Sequence, residues 1–258
     1  MPLDFEAISL AAQAAADAAR AQTVPRFRRV GVETKADGTP VTEADRAAER
    51  AIRDCLHRAF PDYAILGEEY GAEGKSDTPQ WLIDPIDGTI GYARGIPLFT
   101  TLISLLDEGE PVFGLIDCPT VDERYVGWRG GGCRRNGEAT HVSPETDLSR
   151  AIVSHCDPYC FTAVAALPVF ERMARECALL RGTTDAFGHA QVLGGGIAAM
   201  LDVYCNVWDL APIRVLIPEA GGRCETLDHG DGKVGLVFGN PAIVETLLGW
   251  WDAAGVAR

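Results

Sequence analysis

The segment Trp81-Leu82-Ile83-Asp84-Pro85-Ile86-Asp87-Gly88-Thr89 constrains this chain more than any other. Its apolar start predicts a buried strand, and that strand runs into two carboxylates three residues apart. Pro85 fixes its own φ and lacks a backbone donor, so the turn can aim Asp84 and Asp87 at one point. Gly88 lets the backbone come close to a ligand. Its N–H and that of Thr89 can face an anion if a helix starts there.

Two further acidic sites stand at comparable places. Gly67-Glu68-Glu69 ends an earlier apolar run, and Trp208-Asp209 opens a predicted helix. If these acids converge, the electrostatics are severe. Two like charges 4 Å apart repel by about 4 kcal/mol at an effective dielectric of about 20. Four clustered carboxylates cannot all stay ionised without a cation or a proton. Oxygen ligands without His or Cys suit Mg²⁺, Mn²⁺ or Ca²⁺ rather than zinc, and Mg²⁺ is favoured when a substrate brings phosphate oxygens.

The net charge of −14 argues against a nucleic-acid partner and against adhesion to an anionic membrane. Such a chain should also repel a phosphate ester. A site with two or three Mg²⁺ ions reverses the sign locally and resolves that conflict.

With 258 residues, 47% hydrophobic and 23% charged, the chain has the proportions of a globular protein, not of a disordered, collagen-like or coiled-coil one. No run of about 18 apolar residues predicts a membrane span. The N-terminal segment carries Asp4, Glu6 and Asp17, unlike a signal peptide, so a cytoplasmic location is expected. The eight cysteines are too sparse for a disulfide scaffold and include no CxxC pair, which predicts reduced, mostly buried thiols.

Residues 4–20 read as a helix capped by Asp4, with Phe5, Ile8, Ala12 and Ala15 on one face. Thr42-Glu43-Ala44-Asp45 has the form of a capping box, opening a second helix that turns Ala48, Ile52, Cys55 and Leu56 inward and ends before Pro61. Leu98–Leu106 and Val112–Asp117 read as a hairpin, Arg124–Trp128 extends the meander, and Gly130-Gly131-Gly132 closes it. The second half alternates. Ala151–Ser154 and Leu201–Cys205 are expected strands. Pro168–Leu179, Asp185–Val192, Trp208–Ala220 and Ala242–Ala253 are expected helices, with Pro212 and Pro218 weakening the third. The pattern favours α+β or layered α/β packing. It divides into an N-terminal α+β subdomain (1–145) carrying most of the candidate metal ligands and a C-terminal α/β subdomain (146–258) completing the site.

Gly67-Glu68-Glu69, Asp84-Pro85-Ile86-Asp87-Gly88-Thr89 and Trp208-Asp209-Leu210-Ala211 together resemble the GEE, DPIDGT and WD-x-A patterns of the inositol monophosphatase superfamily, Mg²⁺-dependent and Li⁺-sensitive phosphatases. The order and approximate spacing match over residues 35–222. Lys35 to Asp45 also looks like the family's K-x-D-x-TPVT-x-AD segment. Pro97–Leu105, Pro111–Pro119 and Glu123–Gly127 lean towards the histidinol-phosphate phosphatase branch.

The resemblance implies an αβαβα sandwich of the inositol monophosphatase and fructose-1,6-bisphosphatase type, usually a homodimer. It implies that Glu68, Asp84, Asp87, the Ile86 carbonyl and Asp209 ligate metal (Mg²⁺, two or three per site, with Mn²⁺ possible). It implies that Asp45 and Thr89 orient the attacking water and that the amides of Gly88 and Thr89 hold phosphate. Asp185 lies where relatives contact the non-phosphate end of the substrate. The expected activity is hydrolysis of a small phosphorylated metabolite, histidinol phosphate in histidine biosynthesis. Inositol monophosphate and an adenosine or sugar bisphosphate are the alternatives. From a different class, the chain could be an inactive metal-bound regulator, against which stands the retention of Asp45 and Thr89.

The chain departs from the pattern in one place. Relatives carry an acid after the strand matching Leu201–Cys205, then several residues before WD. Here Asn206 takes the acid's place and only Val207 separates it from Trp208. That change bears on the substrate pocket and on the reach of Asp209. The blander readings are these: Asp84 and Asp87 as turn formers, Glu69 as a solvated bystander to Glu68, Asp45 and Thr42 as a cap, Lys35 as a surface lysine, Asp209 as an N-cap, His189 as a core residue, and Arg124, Arg129, Arg134 and Arg135 as a solvated face.

Overall fold

The structure is a computed structural model. It describes residues 3–35, 38–75, 77–183, 185–229 and 234–256, and the statements below concern those. Ala36 and Asp37 of the Lys35–Asp45 segment, and Thr184 before Asp185, lie outside them.

The N-terminal half runs α1 (Phe5–Arg26), β1 (Val32–Thr34), β2 (Pro40–Thr42), α2 (Glu43–Ala59), β3 (Ala64–Gly67), β4 (Gly71–Glu73), β5 (Gln80–Asp87), α3 (Thr89–Ala93), β6 (Thr100–Asp107), β7 (Glu110–Cys118), β8 (Glu123–Trp128), β9 (Gly132–Arg135) and β10 (Glu138–Ala139). The C-terminal half runs β11 (Ile152–His155), α4 (Pro158–Ala163), α5 (Leu167–Glu176), β12 (Leu179–Gly182), α6 (Asp185–Leu193), β13 (Ala199–Cys205), α7 (Val207–Glu219), β14 (Arg223–Asp228), β15 (Val234–Gly239) and α8 (Pro241–Ala253).

Beside the two-stranded pair β1-β2, two large sheets form, of order β10-β9-β8-β7-β6-β5-β3-β4 and β12-β11-β13-β15-β14. The period of two sorts their side chains between layers. Ile103, Leu105, Phe113 and Leu115 of the first sheet pack under α1 and α2 with Ile8, Ile52 and Leu56. Leu102 and Ile116 point the other way, onto α6 and α7, where Met200, Leu236 and Phe238 of the second sheet meet them. Leu201, Val203 and Val237 face the outer helices α4, α5 and α8. The layers are therefore helix, sheet, helix, sheet, helix, as expected.

Both N-terminal helices are capped as their sequences predict. Asp4 accepts from Ala7 N, and Thr42 with Asp45 closes a capping box. The later elements differ in places. Gly130-Gly131-Gly132 does not close the meander, since β9 and β10 continue the sheet. The helix expected over Pro168–Leu179 stops at Glu176, and Leu179 begins an edge strand parallel to β11. The prolines do not break α7. A Cβ on Gly114 of β7 would lie 2.9 Å from the Cα of Pro212, so the helix is seated against bare sheet backbone there.

Arg124 is no part of a solvated face. Its guanidinium bonds Asp117 and Asp17, at 2.7 Å each, and Asp117 is fully buried between Arg124 and Arg20. All eight cysteines are free.

Candidate active site

The site is built where β5 fails to stay regular. Its pairing with β6 shifts register between Asp84 and Asp87, which is where Pro85 offers no N–H to the ladder. The Pro85 carbonyl instead accepts from Thr101 Oγ1 at 2.8 Å. Asp84 Oδ1 accepts from the Ile86 amide at 3.0 Å. Gly88 then takes φ 86°, the left-handed region, and α3 starts at Thr89.

This local bend, with α7 arriving from the other sheet, gathers three carboxylates. One oxygen each from Asp84, Asp87 and Asp209 lie within 4.8 Å of one another. Asp87 Oδ2 also accepts from the Ala186 amide at 2.6 Å, which ties the first turn of α6 to the site. Asp209 Oδ2 accepts from the Asn206 amide at 2.8 Å, closing a capping box on α7. Asp209 is thus not the N-cap of α7, which is Asn206, but the third-position acid of its capping box and a member of the trio, and the short connection through Asn206 and Val207 does not keep it away.

The electrostatics match the crowding. Burial pushes the Asp84 and Asp87 carboxyls well above the usual carboxylate range. Like charge adds to it, from Glu68, Asp87 and Asp209 on Asp84, and from Asp185 and Asp209 on Asp87. Buried acids held this close need a proton or a cation. An all-oxygen donor set of this kind fits a hard divalent ion.

Beside the trio stands a second pair. The Thr89 hydroxyl lies 3.1 Å from Asp45 Oδ1 and 2.9 Å from the Ile86 carbonyl, and its one proton can serve either acceptor. Asp45 Oδ2 is held by the amide and hydroxyl of Thr42. Capping and site-building therefore use opposite oxygens of one carboxylate.

Glu68 is not within the trio. Lys35 Nζ bonds it at 2.9 Å and Glu69 at 2.7 Å. Lys35 is therefore no surface lysine. Glu69 is no solvated bystander either: its side chain is 4% exposed, and burial pushes its carboxyl up to about 7. A cleft of about 380 Å³ joins the trio, Thr89 and Glu68, and Asp185, Asn206, Ile86 and Gly88 also line it.

Sequence reasoning missed Glu49. Fully buried on α2, it accepts from the amides of Glu69 (2.7 Å) and Tyr70 (3.3 Å) and so holds the Gly67-Glu68-Glu69 turn. Its place between Ala48 and Ile52 on the inward stripe of α2 was the available signal. His189 is a core residue, 1% exposed, with Nε2 2.8 Å from Asp202.

Comparison with known proteins identifies the family. The model described as "Inositol monophosphatase family" matches residues 2–254. A histidinol-phosphatase of Streptomyces coelicolor is 36% identical over 238 residues, 88% of each chain. One of Chlorobaculum parvum is 34% identical over 228 residues, 86% of each chain. The structure of an inositol monophosphatase from Thermotoga maritima superposes with a TM-score of 0.85 at 27% identity, covering 97% of this chain and 98% of that one. The chain belongs to the inositol monophosphatase family of metal-dependent phosphatases and is a phosphomonoesterase.

Proposed function

We propose that this chain hydrolyses histidinol phosphate to histidinol and phosphate, using Mg²⁺ held by Asp84, Asp87 and Asp209, with the Ile86 carbonyl and Glu68 completing the donor set. The observation that carries the reading is the carboxylate trio, Asp84 and Asp87 buried and Asp209 half-buried, with one oxygen of each within 4.8 Å of the others. The relatives named histidinol-phosphatase favour this substrate over inositol monophosphate.

When bound, the metal lowers the pKa of water and offsets charge on the departing oxygen. The remaining work falls to the chain. Asp45 and the Thr89 hydroxyl fix the direction of the attacking water. The amides of Gly88 and Thr89 face the phosphate oxygens. Asp185 and Asn206, which also line the cleft, meet the leaving group, and an acidic side chain there suits its ammonium. Positioning and charge stabilisation suffice without a covalent nucleophile. Among the described residues no helix is long and apolar enough to cross a membrane. We take the enzyme to be a cytoplasmic homodimer.

Phosphate release should be measured on histidinol phosphate, inositol 1-phosphate and an adenosine bisphosphate, with Mg²⁺ and with excess chelator. The reading expects the highest kcat/KM on histidinol phosphate and none in chelator. Turnover that persists in chelator excludes the metal reading. A higher kcat/KM on inositol 1-phosphate would replace the substrate.

A further inference from the structure

Thr100 and Thr101 open β6, and both are fully buried. A hydroxyl in such a place needs a partner. The same strand offers a comparison: Ser104 is also buried, and its hydroxyl has no partner among the described residues. The two threonine hydroxyls do have partners, and both partners lie in the Asp84–Asp87 segment.

The pairing of β5 with β6 explains why. Leu102 stands opposite Asp84 and Thr100 opposite Asp87, so Thr101 alone faces both Pro85 and Ile86. Two residues against one is a β-bulge, which disrupts the regular ladder. The Pro85 carbonyl accepts from the Thr101 hydroxyl at 2.8 Å. The other edge of that peptide, the Ile86 amide, donates to Asp84 Oδ1 at 3.0 Å. One rigid peptide plane is thereby held at its oxygen by Thr101 and at its nitrogen by Asp84. The second of these bonds fixes the Asp84 carboxylate and leaves Oδ2 for a cation. The plane also anchors Ile86, whose carbonyl belongs to the proposed donor set. Thr100 acts on Asp87 directly. Its hydroxyl lies 3.3 Å from Asp87 Oδ2, the oxygen that accepts from the Ala186 amide at 2.6 Å. Oδ1 is the oxygen left for the cation.

We infer that Thr100 and Thr101 are positioning residues for the metal, holding Asp84, Ile86 and Asp87 so that one oxygen of each carboxylate turns to a shared ion. The inference rests on the metal reading above. Without the Thr101 hydroxyl the Pro85 carbonyl loses its partner, and the peptide that aims Asp84 is free to turn. The loss then falls on metal affinity and not on stability alone. Thr101→Val keeps the shape of the side chain and removes the bond. Thr101→Ser keeps the bond and removes a methyl.

The test reads metal binding on the intact protein without substrate. Mn²⁺ is titrated, the free ion is followed by its electron paramagnetic resonance signal, and the metal-free Tm is measured beside it. Thr101→Val should weaken Mn²⁺ binding by about tenfold or more, and Thr101→Ser should stay within about threefold of wild type. Thr100→Val should weaken it less, because the Ala186 amide still holds Asp87. Ser104→Ala should leave it unmoved. The Mg²⁺ midpoint of phosphate release should shift in the same order.

A Thr101→Val protein that melts lower but binds Mn²⁺ as wild type does overturns the inference, since the hydroxyl is then structural only. A Thr101→Ser protein that binds as weakly as Thr101→Val overturns it too. Should Thr101→Val fail to fold, Thr101→Ala against Thr101→Ser makes the same comparison, and equal affinities overturn the inference. Wild type that binds no Mn²⁺ fails the metal reading and this inference with it. Wild type that binds, with variants that bind equally well, fails this inference alone.

Discussion

Lys35 and Glu68 are 33 residues apart in sequence, yet the ammonium of one lies 2.9 Å from the carboxylate of the other. The same ammonium holds Glu69 at 2.7 Å. Two neighbouring acids of the site thus share a cation that the chain itself supplies. If Glu68 is a metal ligand, Lys35 competes with the metal for it. Lys35→Gln should lower the Mg²⁺ concentration for half-maximal activity by about fivefold, the equivalent of about 1 kcal/mol of lost competition. A Mg²⁺ titration of phosphate release checks this. An unchanged midpoint would mean that Glu68 does not ligate metal.

Asp87 belongs to the crowded trio and is pushed up by burial and by Asp185 and Asp209. Asp87→Asn removes one negative charge and keeps an oxygen for the Ala186 amide. Activity should fall by more than about 100-fold, because a ligand is lost. The metal-free Tm should rise, because repulsion is relieved. Activity within tenfold of wild type, or a lower Tm, contradicts the assignment.

The same acids give the metal-free protein an unusual pH dependence. Glu69 is pushed from 4.5 up to about 7, and Asp84 and Asp87 move in the same direction. Between their unfolded and folded values these groups bind more protons when native than when unfolded. Stability therefore falls as pH rises. For Glu69 the loss begins near pH 4.5 and is complete just above pH 7. Melting in chelator should show a Tm that declines across this window, and saturating Mg²⁺ should flatten the decline. A metal-free Tm that climbs over the same range is incompatible with these shifts.

The Thr89 hydroxyl has one proton and two acceptors, Asp45 at 3.1 Å and the Ile86 carbonyl at 2.9 Å. A water-orienting role predicts that Thr89→Ala lowers kcat by about 100-fold with KM within a few-fold, since the loss is felt in the transition state. Thr89→Ser should recover most of kcat. A change confined to KM would assign Thr89 to binding alone.

The sequence was legible where the determinants are local. Asp4 and Thr42 mark their helices because a cap needs a side-chain oxygen within three residues. The Asp84–Thr89 segment reads as a bent strand end because Pro85 and Gly88 act on their own backbone. What escaped is long-range or weakly patterned. Lys35 and Glu49 reach the Gly67-Glu68-Glu69 turn from 33 and 20 residues away, and no periodicity records such a partner. Strands β9 and β12 are edge-side strands carrying Arg134, Arg135 and Arg181. Their solvent-facing positions erase the apolar alternation that betrays a central strand.

Gly67 shows how tightly the buried Glu49 grips that turn. A Cβ at Gly67 would lie 2.0 Å from Glu49 Oε1 and 2.4 Å from its Cδ. Glu49 cannot retreat, because it also bonds Arg53 at 2.8 Å and accepts from the Glu69 and Tyr70 amides. Gly67→Ala must displace either the carboxylate or the backbone that carries Glu68. It should destabilise the protein by about 1–3 kcal/mol and raise the Mg²⁺ midpoint. Gly249→Ala is the control: it lies within α8, and a Cβ there meets nothing within 4 Å. That variant should be stabilised by about 0.5–1 kcal/mol with its Mg²⁺ midpoint unmoved. Chemical denaturation and a metal titration on both variants decide the matter. Equal behaviour of the two would show that Glu49 does not fix the turn.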